Sequence, residues 1–131
     1  MPSIVVEVRR EYSPEEETAI LQAVIRAVGE AFRIPPTEQE GRLVVYQPHR
    51  FVFPPAITQP ESYTIVSIDC FEGRSLAAKR KLYQNIVREL AVFGIPDSNV
   101  MIMLREIPKH NWGICGGKAG CDVEVGFEIE V

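Results

Sequence analysis

Apolar positions along the chain follow two periods, and the order of those periods repeats. Residues 3–8 hold a β-branched run too short for a helix, which predicts a first strand. Residues 13–16 read Ser-Pro-Glu-Glu, the pattern of a capped helix start with proline at the first helical position. The predicted helix ends near residues 32–36, where two prolines prevent its continuation. One apolar face is formed by Ile20, Val24, Ala27, Val28 and Ala31. A second strand follows at residues 43–46.

The second half of the chain repeats this order. Residues 63–69 predict a strand, residues 75–93 a helix and residues 100–105 a strand. The apolar positions of this helix are Leu76, Leu82, Ile86, Leu90 and Phe93. The two helix ends also match, since Phe-Arg-Ile-Pro at residues 32–35 corresponds to Phe-Gly-Ile-Pro at residues 93–96. The pattern therefore predicts a tandem βαβ duplication.

Two βαβ units predict an α+β fold with a four-stranded sheet and both helices on one face. Each unit should make a right-handed crossover between parallel strands. The other sheet face is then left uncovered, although strand residues such as Ile4 and Val5 are apolar on both sides. We expect that face to pack against other subunits of an oligomer.

The 131 residues suffice for one domain, with a real hydrophobic core. We divide it into a first repeat (1–47), a linker (48–61), a second repeat (62–107) and a C-terminal turn and strand (108–131). The linker contains four prolines and should be stiff. Alternating apolar residues from Val123 to Val131 predict a final strand within residues 121–131, at an oligomer edge.

Charge and composition exclude several classes of partner. The net charge of −4 gives no attraction to nucleic acid or to an anionic membrane. No run of 18 apolar residues is present, and the N-terminus lacks the pattern of a signal peptide, so we expect a cytoplasmic protein. The three cysteines contain no CxxC pair, and His49 and His110 have no ligand at metal-binding spacing. We expect no metal site.

Pro2 is the first residue with chemical potential. Proline in second place permits removal of the initiator methionine, which would leave a secondary amine at the tip of the first strand. An α-amine titrates near ~8 in peptides, and an apolar pocket lowers that value toward neutrality. Such an amine can shuttle protons at physiological pH. The alternative is a proline at a strand edge with no chemical role.

Other candidates lie in loops. Arg74 follows the third strand, at a carboxyl end where α/β units place ligands, and a guanidinium there can hold a carboxylate; the alternative is a surface arginine paired with Glu72. Glu40 and Glu38 precede the second strand and could polarise water, or be plain loop acids. Trp112 could wall a pocket or anchor the core. His49 could contact an anionic substrate.

These features resemble the tautomerase superfamily, which includes 4-oxalocrotonate tautomerase and malonate semialdehyde decarboxylase. The likeness rests on an N-terminal Met-Pro opening a β-branched strand, two tandem βαβ units, Phe-Glu-Gly-Arg at residues 71–74 and Glu-Ile-Pro-Lys-His-Asn-Trp-Gly at residues 106–113. It covers nearly the whole chain and points to the fused double-βαβ subgroup. The resemblance implies a homotrimer.

The resemblance also implies roles for single residues. Pro2 matches the catalytic proline, acting as general base in tautomerases. Arg74 matches an arginine that binds the substrate carboxylate. Glu40, with Glu38 as second choice, falls near an acid that activates water or positions substrate, and Trp112 matches an aromatic wall of the pocket. Asn111 and His49 complete the expected contacts with a small carboxylate substrate, and no cofactor is needed.

Keto–enol tautomerisation of a small 2-oxo or 2-hydroxydienoate-type acid is the activity we expect. The decarboxylase-like pattern has two arginines separated by one residue, but Glu72 occupies the first of these positions here, with only Arg74 remaining. A hydratase, dehalogenase or decarboxylase that depends on Pro2 is the alternative enzyme. A catalytically inactive trimeric relative is the other alternative, and retention of Met1 would favour it.

Overall fold

A four-stranded sheet with two helices on one face makes up most of the fold in the computed structural model, which describes residues 1–131. The elements are β1 (Ser3–Val8), α1 (Pro14–Phe32), β2 (Glu40–Val45), β3 (Thr64–Phe71), α2 (Leu76–Ala91), β4 (Val100–Ile107) and the short β5 (Gly113–Ile114) and β6 (Lys118–Ala119). The sheet order is β2-β1-β3-β4; β1 and β3 run antiparallel, and each is parallel to the edge strand beside it. This mixed sheet confirms the predicted tandem βαβ fold.

Both helices begin where the sequence places a serine cap. The Ser13 hydroxyl accepts the Glu16 N–H at 3.1 Å, and the Glu16 carboxylate accepts the Ser13 N–H at 3.2 Å. Ser75 caps α2 by accepting the Ala78 N–H at 3.1 Å. Leu76, one of the apolar positions of the predicted second helix, is the first residue of α2 and is 58% exposed, so it does not belong to the buried face. Neither helix is long and apolar enough to cross a membrane.

The hydrophobic core lies between the helices and one face of the sheet. Alternate residues of the two central strands point into it, as period-2 alternation requires. Fully buried members include Ile4, Val6, Val8, Val66, Ile68, Val24, Phe32, Leu82 and Ile86. Burial of each such side chain contributes on the order of 1.5–3 kcal/mol, so this layer fixes the sheet register.

The other face of the sheet is not covered within the chain. Val44 on β2 and Met101 and Met103 on β4 remain 39%, 46% and 39% exposed. Toward one end of this open sheet face, the Arg105 guanidinium is paired with Asp69 at 2.6 Å. The chain therefore presents an apolar sheet surface with a charged margin.

Arg9, the residue that follows β1, holds the linker in place. Arg9 donates to the carbonyl oxygens of Phe51, Pro60 and Pro48 at 3.0, 2.9 and 3.1 Å. Its guanidinium also lies 4.5 Å from the centre of the Phe53 ring. These contacts restrain the proline-rich segment.

The strand predicted within residues 121–131 is wrong for the single chain. The alternating apolar residues of this segment are partly or fully buried. No strand of the chain pairs with the segment, so it is not part of a sheet. Ile129 is instead buried to 9% exposure, and the Val131 carbonyl accepts the Ser75 N–H at 2.8 Å. The tail thus packs on the loop that precedes α2.

Candidate active site

The register of β1 determines which predicted site residues meet. Ser3 pairs with Glu40 of β2 on one side and with Asp69 of β3 on the other. The chain leaves β3 at this same end of the sheet and continues into the loop that carries Arg74. Pro2, Glu40 and Arg74 are therefore brought to one end of the sheet by three different elements.

Pro2 is buried at the start of β1, and its carbonyl accepts the Glu40 N–H at 3.3 Å. Met1 precedes it, so the prolyl nitrogen is acylated in this structure. The Met1 amine donates to the Glu38 carbonyl oxygen. Burial lowers the pKa of this amine, Glu38 and Glu40 act in the opposite direction, and Arg74 lowers it further. An amine at this end of the sheet is thus partly desolvated and senses both acids and the arginine.

Arg74 is a buried guanidinium without an acidic partner. It is 5% exposed and takes part in none of the ion pairs of the chain. One N–H group donates to the Phe71 carbonyl at 2.8 Å, whereas Nε and Nη2 are buried with no hydrogen-bond partner. Burial lowers the Arg74 pKa, and the neighbouring Cys70 and Glu106 act in the opposite direction. Unpaired donors on a buried cation are costly unless a ligand accepts them, so this group is suited to an anion.

An ion pair between Arg74 and Glu72, the alternative to a ligand-binding role for Arg74, does not occur. Glu72 is exposed and forms no ion pair. It lines a cavity of about 570 Å³ on the outer side of the loop, together with Lys109 and tail residues 125–130. That cavity has three carboxylates, from Glu72, Glu128 and Glu130, against one ammonium, so it is a poor place for an anionic substrate.

The loop that carries Arg74 is held in place through Gly73, the residue before the arginine. Gly73 has a φ of +128°, a left-handed value that favours glycine, and a Cβ there would lie 3.1 Å from the Ile129 side chain. The Glu106 carboxylate accepts the Gly73 N–H at 3.3 Å, and it also forms an ion pair with Lys79 of α2. The Lys79 side chain reaches Glu106 on β4 through this ion pair and is 23% exposed.

Glu38 and Glu40 both line a cavity of about 180 Å³ together with Met1, and both side chains are exposed. The Glu40 carboxylate lies 3.5 Å from Arg42, on the side of the open sheet face. Glu38 has the larger effect on the pKa of the amine. Each acid is thus placed beside the N-terminus, with Glu38 acting on it more strongly.

Trp112 lies at the same end of the sheet, beyond β4. Its ring packs edge-on against Phe71 with 5.2 Å between centroids, and its indole N–H donates to the Ile107 carbonyl at 3.3 Å. It is only partly buried, whereas Asn111 beside it is exposed. Trp112 is therefore anchored by its ring and by its indole N–H, while part of its surface stays exposed.

His49 lies elsewhere. It belongs to a 3₁₀ turn, Pro48–Arg50, that follows β2, and β2 leaves the sheet beside Val8. The six residues of β1 separate this end from Pro2 by about 20 Å at the usual strand rise. Within one chain the structure does not bring His49 to the other candidates.

Cys70 is a buried neighbour of the site with no nucleophilic character. It is 0% exposed, and burial raises the pKa of its thiol to about 11. A neutral, inaccessible thiol does not attack a substrate. Cys115 and Cys121 are exposed.

Glu106 and Phe32 are the neighbours of Arg74 that the sequence patterns did not identify. Glu106 reaches the loop because the register places it opposite Cys70. Phe32 ends α1 and lies under the guanidinium, 5.0 Å from Cζ to the ring centre. Glu106 begins the segment 106–113 that carries the resemblance, but only a correct strand register would have paired it with this loop. Phe32 is far from Arg74 in the sequence, so no local pattern indicates that contact.

Chemically, the end of the sheet combines a candidate base, an anion-binding cation and two carboxylates. A prolyl amine freed from Met1 would lie at the tip of β1, and Arg74 supplies two N–H donors for an anion. This set is suited to proton transfer on a small carboxylate.

Comparison with known proteins identifies the family of the chain. The model of a family described as "Tautomerase enzyme" matches residues 38–115. A 2-hydroxymuconate tautomerase of Comamonas testosteroni is 39% identical over 49 residues, which cover 37% of this chain and 78% of that protein. The same values hold for a 2-hydroxymuconate tautomerase of Pseudomonas putida.

Solved structures share the fold over most of the chain. FG41 malonate semialdehyde decarboxylase inhibited by 3-bromopropiolate has a TM-score of 0.80 and 25% identity, covering 88% of this chain and 90% of that one. A fused 4-OT described as a symmetric trimer has a TM-score of 0.76 and 24% identity, covering 91% and 96%.

Proposed function

Since this chain belongs to the tautomerase family, whose matching members are isomerases, we propose that it is a cofactor-independent tautomerase of a small 2-oxo or 2-hydroxydienoate-type acid. One observation carries the proposal. Arg74 is a buried guanidinium with two unpaired donors, at the same end of the sheet as Pro2. A carboxylate is the ligand that satisfies such a group.

Pro2 is the general base of the proposed reaction. Removal of Met1 frees its nitrogen as a secondary amine with a lone pair, which the acylated form lacks. Burial lowers the pKa of the amine that Met1 holds at this place, and the same surroundings would act on a prolyl amine. A base with a pKa near neutrality serves both halves of a proton transfer.

Arg74 binds the substrate carboxylate and stabilises the enolate. The prolyl nitrogen takes the proton from the 2-hydroxyl group, the electron pair moves through the conjugated system, and the nitrogen returns the proton to carbon. Negative charge develops on the oxygen beside the carboxylate during this step, within reach of a guanidinium that holds that carboxylate. The fixed cation thus contributes to binding and to the rate.

The remaining candidates shape the substrate pocket. Trp112 forms an apolar wall, Asn111 is an exposed amide beside it, and Glu40 or Glu38 orients the amine or a water molecule. With one buried cation and two nearby acids, the site favours a monoacid over a dianion. His49 takes part only if another subunit brings its end of the sheet to this site.

The proposed assembly is a homotrimer. The open sheet face exposes Val44, Met101 and Met103, which no part of the chain covers. A fused 4-OT of the same fold is described as a symmetric trimer. Burial of this face between subunits would remove the apolar surface from water.

Hydration or decarboxylation by the same residues is the second candidate. Glu38 and Glu40 lie beside the N-terminus, where either could activate a water molecule. The FG41 malonate semialdehyde decarboxylase has 25% sequence identity to this chain and the same fold. A product with added water, or with loss of carbon dioxide, would favour this reading.

The decisive experiment combines an intact mass with kinetics on phenylenolpyruvate and a 2-hydroxydienoate. We expect a mass lacking one methionine, and tautomerase activity that falls about 100-fold or more in Pro2→Ala and Arg74→Ala. Arg80→Ala is the matched control, because Arg80 is exposed and forms no ion pair. Retained Met1 without activity would reject the proposal and favour a non-catalytic trimer. Full activity in both site variants would reject Pro2 and Arg74 as the residues that carry the reaction.

A further inference from the structure

We propose that Glu106 is a positioning residue that holds Arg74 in its ligand-binding orientation. The inference rests on the proposed function of Arg74 as the carboxylate-binding group. It starts from a gap in the structure: the buried guanidinium forms one hydrogen bond, to the Phe71 carbonyl, and otherwise packs on the Phe32 ring, which does not fix the direction of its free N–H groups. That direction therefore depends on the backbone from which the side chain projects.

Glu106 acts on that backbone at the residue before Arg74. One of its oxygens accepts the Gly73 N–H at 3.3 Å, and the other is paired with the Lys79 ammonium. A single carboxylate therefore joins β4, the loop and the first turns of α2. Gly73 needs this support, because its φ of +128° is a conformation that a free glycine loop only partly populates.

The geometry separates Glu106 from the catalytic groups. It pairs in register with Cys70, which is on the helix side of the sheet, and it forms no ion pair with Arg74. It therefore leaves the two free donors of the guanidinium available to substrate. Loss of the Glu106 carboxylate should release the Gly73 amide, widen the range of loop conformations and misplace the guanidinium.

The test compares a carboxylate substrate with its methyl ester. In the wild-type protein, Arg74 should favour the acid, since the ester offers no anion to the guanidinium. A misplaced Arg74 should reduce kcat/KM for the acid by about tenfold to 100-fold and leave kcat/KM for the ester within about twofold. A general loss of folding would reduce both substrates equally, so the acid-to-ester ratio is the readout.

Three variants make the test specific. Glu106→Ala should lose most of the acid preference, and Glu106→Gln should recover part of it, because its amide oxygen can still accept the Gly73 N–H. Glu128→Gln is the matched control, since Glu128 is an exposed acid near the same loop with no hydrogen bond. The Arg74 Nε–H resonance, assigned by its loss in Arg74→Lys, should shift or broaden in Glu106→Ala and not in the control.

The outcomes separate the two proposals. If Arg74→Ala abolishes the acid preference but Glu106→Ala retains it with an unchanged Arg74 resonance, the positioning role is rejected and the proposed function stands. If Arg74→Ala itself keeps the acid preference, the proposed function fails. If Glu106→Ala does not fold, the ratio and the resonance are measured in Glu106→Met, whose apolar side chain of similar length cannot accept the Gly73 N–H, and wild-type values in that variant would also overturn the positioning role.

Discussion

The guanidinium carbon of Arg74 lies 5.0 Å from the centre of the Phe32 ring. The two residues come from different repeats: Phe32 ends α1, and Arg74 precedes α2. The ring face gives the buried cation a partial substitute for water. A ring of the first repeat thus supports the arginine of the second repeat. The position of Arg74, the proposed carboxylate-binding group, therefore depends on how the two helices pack.

Arg74→Met should separate stability from binding. A cation buried with two unpaired donors destabilises the empty site, and an apolar side chain of similar length removes that cost. We expect the free energy of unfolding to stay equal or to rise by about 1–2 kcal/mol, measured by urea denaturation, while affinity for a carboxylate ligand is lost.

Arg26→Met is the control for this substitution. Arg26 lies on α1, away from the open sheet face, and is exposed and paired with Glu89, so its replacement should change stability by no more than about 0.5 kcal/mol. A clear loss of stability in Arg74→Met would show that the guanidinium stabilises the fold, against the interpretation as a ligand group.

The ion pair between Glu106 and Lys79 should make stability depend on pH at both extremes. Burial acts to raise the Glu106 pKa, but hydrogen bonds from Lys79 and the Gly73 amide outweigh it and lower this pKa. The folded protein therefore favours the ionised form of Glu106 more than the unfolded chain does. Its contribution is complete above the unfolded value of about 4.3 and is lost as pH falls through the lower folded pKa.

Lys79 gives the opposite limit. Its hydrogen bond to Glu106 raises the Lys79 pKa, so its contribution to the free energy of unfolding is present below about pH 10.4 and lost as pH rises through the folded pKa.

The acid limit set by Glu106 is the one to test. Thermal unfolding between about pH 2 and pH 5 should show a shallower decline of Tm in Glu106→Gln than in wild type. An identical slope in both proteins would exclude this pair as an acid-sensitive contact.

Local sequence signals were enough to predict the repeat and its capped helices. Ser13, Pro14 and Glu16 lie within one turn of each other, so their effect is readable from spacing alone. Arg74 was identified from its place after β3, but its burial was not. That burial depends on Phe32, 42 positions away in the printed sequence, and on a tail whose alternating pattern suggested a strand. Contacts between positions far apart in the sequence have no local pattern, which is why Glu106, 33 positions after Gly73, received no role.

The three thiols should differ sharply in reactivity. Cys115 and Cys121 are exposed, whereas Cys70 is fully buried and its pKa is about 11. At pH 8, a chromogenic disulfide reagent should therefore label two thiols rapidly and the third only after addition of denaturant. Cys70→Ser should keep both fast-reacting groups, and rapid labelling of all three wild-type thiols would contradict the burial of β3 at this end of the sheet.

A charge placed on the open sheet face should dissociate the proposed trimer. Met103 lies on β4 and is 39% exposed, so in an oligomer built on this face its side chain would be desolvated. Met103→Asp should weaken assembly by about 100-fold or more, because an unpaired carboxylate in an apolar interface is costly. Val92→Asp is the matched control: Val92 follows α2, is 80% exposed and lies away from this face, so its variant should keep the wild-type mass in sedimentation equilibrium. If Met103→Asp also kept that mass while remaining folded by circular dichroism, the open sheet face would not be the subunit interface.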